Sequence, residues 1–89
     1  MKKADGALLE FPVEIAVKAM GRAATDFESL VRDLVSAHLQ ENQSASVTTL
    51  DSSKGNYVSV SVRFTAFSRE QLNAIYQDLH DCERVLYTL

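Results

Sequence analysis

The chain has 89 residues, 46% of them hydrophobic and 24% charged, with a formal net charge of −3 and a pI near 5.2. That length supports one modest core, leaves no room for a second domain, and contains no apolar window long enough to cross a bilayer. The single cysteine, Cys82, rules out an intrachain disulfide framework, and the mild acidity gives no bulk attraction for nucleic acid.

Residues 1–10 read as a flexible or loosely packed arm, with 11–89 forming the domain. Lys2 and Lys3 are not followed by the apolar run of a signal peptide, so a cytoplasmic location is expected. Leu8 and Leu9 can pack back on the domain, and Pro12 holds Phe11 extended. From Val13 onward, Val13, Ile15, Val17 and Ala19 alternate with Glu14, Ala16, Lys18 and Met20, which predicts a first strand ended by Gly21. Thr25 with Glu28 three residues later fits a capping box, and Phe27, Leu30, Val31, Leu34, Val35 and His38 recur as the stripe of a helix running to about Gln40. A weaker second strand over Ala45–Leu50 carries few large apolar residues, as an edge strand does.

The turn-forming residues Asp51–Asn56 feed the clearest strand in the sequence. Val58, Val60, Val62, Phe64 and Ala66 alternate there with Ser59, Ser61, Arg63 and Thr65. Ser68 caps a second helix with Gln71 at the box position, and Leu72, Ile75, Tyr76 and Leu79 make its stripe. Val85–Leu89 supplies the last strand. The order strand–helix–strand–strand–helix–strand predicts an α+β, ferredoxin-like two-layer sandwich. Its four-stranded antiparallel sheet has order 4-1-3-2, with strands one and three central and both helices on one face.

The catalytic inventory is thin. His38 lies on a helix stripe, and His80 with Cys82 is too small a set for a metal centre. The carboxylates Asp26, Glu28, Asp33, Asp78 and Asp81 have capping or solvated explanations. Three dispersed glycines make no phosphate cradle, and no nucleophile elbow is present. No metal and no cofactor are expected.

Lys54-Gly55-Asn56-Tyr57-Val58-Ser59-Val60 loosely echoes the third strand of an RNA recognition motif. Tyr57 and Phe67 share outward parity with Ser59, Ser61, Arg63 and Thr65, which leaves no ring in mid-strand, so nucleic-acid binding is disfavoured. The turn itself, Ser52, Ser53, Lys54, Gly55, Asn56 and Tyr57, is made of turn formers, yet it gathers two hydroxyls, an ammonium, an amide and a phenol. It is either a register-setting turn alone or one that also recognises an anion or a partner's backbone. The outer sheet face, made fairly smooth and only lightly charged by Ala16, Met20, the serines, Thr65 and the last strand, is open to a second copy, and an edge strand such as strand two or four is open to a partner's sheet.

These residues carry a family resemblance over essentially the whole chain. Leu8-Leu9-Glu10-Phe11-Pro12, Lys18-Ala19-Met20-Gly21 and, most distinctively, Ser52-Ser53-Lys54-Gly55-Asn56-Tyr57 with Ser59-Val60-Ser61 resemble the YbeD-like proteins, small bacterial proteins of unassigned function. Asp51 stands where that pattern usually has a proline. The resemblance implies a ferredoxin-like fold similar to the small ligand-binding regulatory domains of amino-acid metabolic enzymes. It therefore implies a non-catalytic regulatory or adaptor role, binding a protein partner or a small anionic metabolite. The glycine-centred loop of those domains has only Gly21 as a weak counterpart, and the loop of an acylphosphatase is missing. The alternatives are an RNA-binding module using the open sheet face and a small enzyme with a pocket at the 52–57 loop.

Overall fold

The structure is a computed structural model and describes residues 10–89. The arm expected over 1–10, including the packing of Leu8 and Leu9, lies outside the described residues except for Glu10. The chain runs β1 (Val13–Arg22), α1 (Phe27–Ser36), β2 (Ser46–Asp51), β3 (Tyr57–Ala66), α2 (Arg69–Asp81) and β4 (Val85–Thr88). All neighbouring strands are antiparallel, and the sheet order is β2-β3-β1-β4. This is the expected 4-1-3-2 arrangement, and it makes the fold a ferredoxin-like sandwich.

The alternation in β1 and β3 sets the layers. The ladder pairs Val17 with Val62 and Ala19 with Val60, and all four are fully buried beneath the helices. Phe27, Val31 and Val35 from α1 and Leu72, Ile75 and Leu79 from α2 complete one core. Burying a side chain of this kind contributes about 1.5–3 kcal/mol relative to leaving it exposed.

Gly21 is an internal member of β1 rather than its end, since the strand continues to Arg22. It sits where the β1–β4 register shifts between Met20 and Gly21. A Cβ there would fall 2.5 Å from the Arg84 carbonyl oxygen and 2.6 Å from the Phe27 ring. Glycine is therefore required by close packing, not by a turn.

The helix termini show one expectation met and one corrected. At α2, Ser68 Oγ accepts from the Gln71 N–H at 3.0 Å, and Gln71 Oε1 accepts from the Phe67 N–H at 2.7 Å. At α1 the cap position falls to Asp26, with no side-chain cap bond, instead of to Thr25. Glu28 is engaged elsewhere, accepting from Thr49 Oγ1 on β2 at 3.1 Å, and Arg84 holds the Asp26 carboxylate in a fork of 2.8 and 2.6 Å. The far end of α1 also differs. The helix stops at Ser36, and His38 and Leu39 continue as turns through N–H bonds to the carbonyls three residues back. Such tightening is how a helix end satisfies its last carbonyls. The Phe11–Pro12 peptide is cis.

Candidate functional site

The hairpin between β2 and β3 holds the six residues singled out from the sequence. Ser52 and Tyr57 close it: the Ser52 N–H donates to the Tyr57 carbonyl at 2.9 Å, and the Tyr57 N–H donates to Ser52 Oγ at 3.1 Å. Inside that closure the Gly55 N–H donates to the Ser52 carbonyl at 2.9 Å. Gly55 has φ of +75°, a left-handed conformation that costs an L-residue about 1–2 kcal/mol. The Asn56 carbonyl accepts from the Ala23 N–H at 3.0 Å, tying the turn to the segment that follows β1.

The six residues therefore divide. Ser52, Gly55 and Asn56 are occupied in building the turn. The Tyr57 ring lies beside Arg22, whose guanidinium carbon is 5.9 Å from the ring centroid, within cation–π range. Ser53 and Lys54 form the exposed tip, and among the described residues their side chains make no hydrogen bond or ion pair. The geometry brings hydroxyl and ammonium together at the tip and leaves the phenol at the base.

Beside the turn, on the sheet face away from the helices, is a shallow depression of about 240 Å³ lined by Met20, Leu50, Asp51, Ser52, Tyr57, Val58 and Ser59. It continues into a transverse row set by strand register. Leu50 pairs with Ser59, Ser59 with Met20, and Met20 with Tyr87, so the row crosses all four strands. Leu50 is 70% exposed, Tyr87 54% and the nearby Leu89 69%. Exposed apolar groups gathered in one place, rather than scattered, mark interaction surfaces. Sequence reading put Met20 and the last strand on this face but did not single out Leu50, Tyr87 and Leu89 as exposed apolar groups; the available signal was that the two short outer strands carry apolar residues on both parities.

Several of the other titratable groups have structural partners. His38 Nε2 lies 2.5 Å from Asp78 Oδ2, and the His38 carbonyl accepts from Gln71 Nε2 at 2.9 Å, so this residue clamps the end of α1 to α2. Among the described residues no hydroxyl or thiol is hydrogen-bonded to either histidine ring, and no three His, Cys, Asp or Glu side chains converge as a metal site. The hydrogen bonds from Arg84 hold the Asp26 carboxyl below the usual carboxylate range, and Asp26 in turn raises Arg84. Burial raises the Tyr76 phenol, whose hydroxyl donates to the Leu89 carbonyl at 3.3 Å. Among the described residues no helix is long and apolar enough to cross a membrane.

The comparisons with known proteins agree with this architecture. A UPF0250 protein of Vesicomyosocius okutanii is 39% identical over 82 residues, covering 92% of this chain and 89% of the relative. A UPF0250 protein of Neisseria gonorrhoeae is 38% identical over 88 residues, covering 99% and 97%. The solution structure of protein HP0495 from H. pylori superposes with a TM-score of 0.70, covering 91% of this chain and 85% of that one; at 16% identity it speaks for the fold alone. The family model described as "Protein of unknown function (DUF493)" matches residues 6–89. The chain thus belongs to the DUF493/UPF0250 family, to which the YbeD-like proteins it resembles are related.

Proposed function

We propose that this protein is a non-catalytic regulatory or adaptor domain of the cytoplasm that recognises a protein partner through the Ser52–Tyr57 turn. The observation that carries the proposal is the division of labour inside the turn. Ser52, Gly55 and Asn56 rigidify it by hydrogen bonds, and this holds Ser53 and Lys54 at a tip where neither has work inside the fold. A rigid scaffold presenting a spare cation suits recognition, because little ordering entropy remains to be lost on binding.

The two depressions beside the turn, about 240 and 380 Å³, are open rather than enclosed and lie at or below the low end of the roughly 300–1,000 Å³ clefts that enclose small ligands. That supports a protein surface over a metabolite as the ligand, and it weighs against an enzyme pocket at the 52–57 loop. The single cysteine fits a reducing compartment.

The test is an affinity pulldown from the source cell with wild type, Lys54→Ala and Tyr57→Ala, each first shown to be folded by circular dichroism. The proposal expects a partner retained by wild type and lost or depleted with Lys54→Ala. Identical partner sets for all three proteins would reject the turn as the recognition element.

A further inference from the structure

The net charge of −3 conceals a separation of charge between the two layers. On the open face of the sheet, the parity that buries Val17 and Val60 turns Lys18 and Arg22 of β1 and Arg63 of β3 outward, with Glu14 as the one carboxylate of those two strands there. At the end of the hairpin Lys54 adds a further cation and Asp51 a second carboxylate, which leaves cations in excess. The helices have the opposite balance: Glu28, Asp33, Glu70, Asp78 and Asp81 face only Arg32 and Arg69 as permanent cations. Arg84 is consumed by its fork with Asp26. An acidic protein thus exposes a locally basic sheet, and across that sheet runs the apolar row of Leu50, Met20 and Tyr87.

We infer that the open sheet face, from Lys54 across the Leu50–Met20–Tyr87 row to Lys18 and Arg63, is a docking surface for an acidic, aliphatic-rich segment of a partner protein. This rests on the adaptor reading above and names the chemistry of the partner. Each half of the surface selects half of the ligand. The cations call for carboxylates and repel basic segments. Leu50 and Leu89, exposed by 70% and 69%, call for aliphatic side chains, which bury area without needing a ring to stack on.

Two other occupants fit less well. A second copy packed face to face would bring two surfaces with an excess of cations together, which like-charge repulsion opposes. A single-stranded nucleic acid would satisfy the cations but needs aromatic platforms on neighbouring strands. The exposed rings on the strands are Tyr57 on β3 and Tyr87 on β4, with β1 between them, and the third exposed ring, Phe67, follows β3 at the end opposite Tyr57. The intervening strand separates the two tyrosines by about 10 Å, two strand spacings, and Arg22 already lies beside the Tyr57 ring.

The experiment titrates the full chain with a short synthetic peptide alternating leucine and glutamate, its lysine counterpart of equal length, and oligo-dT, following amide shifts by 15N–1H NMR. The surface predicts that the glutamate peptide shifts Met20, Leu50, Ser59 and Tyr87 and that the lysine peptide does not. Lys18→Glu with Arg63→Glu should weaken the glutamate peptide by about tenfold, with raised salt acting in the same direction. Both substitutions are at solvent-facing strand positions, and an unchanged far-ultraviolet dichroism spectrum is required of the variant. Shifts confined to the helices, equal binding of the two peptides, or affinity indifferent to the charge reversal would overturn the inference, as would stronger binding of oligo-dT to the same residues. The two readings fail separately: if Lys54→Ala loses its partner in the pulldown while the peptide ignores the sheet, only the acidic-segment assignment falls, whereas identical partner sets in the pulldown remove the adaptor reading of the turn.

Discussion

β1 and β3 present two faces from the same backbones, and the contrast between them separates what holds this protein together from what it offers to others. On the covered face Val17, Ala19, Val60 and Val62 are fully buried against the helices. On the open face, the residues between them are serines, basic side chains and Met20, flanked by the exposed Leu50 and Tyr87. Alternation alone produces both faces. The covered face can change only at a cost in stability, whereas under the proposed docking role the open face changes at a cost in binding.

The largest effect expected is on the covered side. Phe27→Ala removes a ring that is 1% exposed and packs under Gly21, and should cost about 3–5 kcal/mol in urea unfolding. Gly21→Ala attacks the same contact from the strand. The added carbon meets the Arg84 carbonyl, a backbone atom that cannot swing aside, so a loss of about 2–3 kcal/mol is expected. Gly55→Ala tests the turn instead. Nothing lies within 4 Å of a Cβ there, so the cost is backbone strain alone, about 1 kcal/mol. A loss as large as that of Gly21→Ala would show that the turn belongs to the core it is contrasted with.

These differences track how much of the molecule was legible in the sequence. The strict alternation in β1 and β3 and the Ser68–Gln71 box were local patterns, and they led to the right sheet order and the right helix cap. The Thr25 cap was not recoverable, because Thr49 binds Glu28 and Arg84 binds Asp26 from distant parts of the chain. The end of α1 was overread for a related reason: the apolar spacing through His38 persists in the turns after Ser36, where His38 reaches across to Asp78. At the candidate site, the glycine and serines of the turn announced themselves. The apolar row did not, since Leu50, Ser59, Met20 and Tyr87 come from four strands and meet only through register.

A smaller effect concerns the exposed Asp26–Arg84 fork. Because Arg84 lowers the folded-state pKa of Asp26, the pair's contribution is present above the ordinary carboxylate pKa and is lost as pH falls through the depressed folded value. Arg84→Ala should return Asp26 to the ordinary range in a carboxyl 13C titration and flatten this part of the acid dependence. An Asp26 titration unmoved by the substitution would mean that the fork is not formed in solution.

The contrast between the faces is tested most directly by Leu50→Ser, read for both urea midpoint and affinity for the leucine–glutamate peptide. Leu50 is 70% exposed, so the unfolding free energy read from the midpoint should change by no more than about 0.5 kcal/mol, while affinity falls several-fold. A large loss of stability with unchanged affinity would contradict the account, placing Leu50 in the core and leaving the open face without a role in recognition.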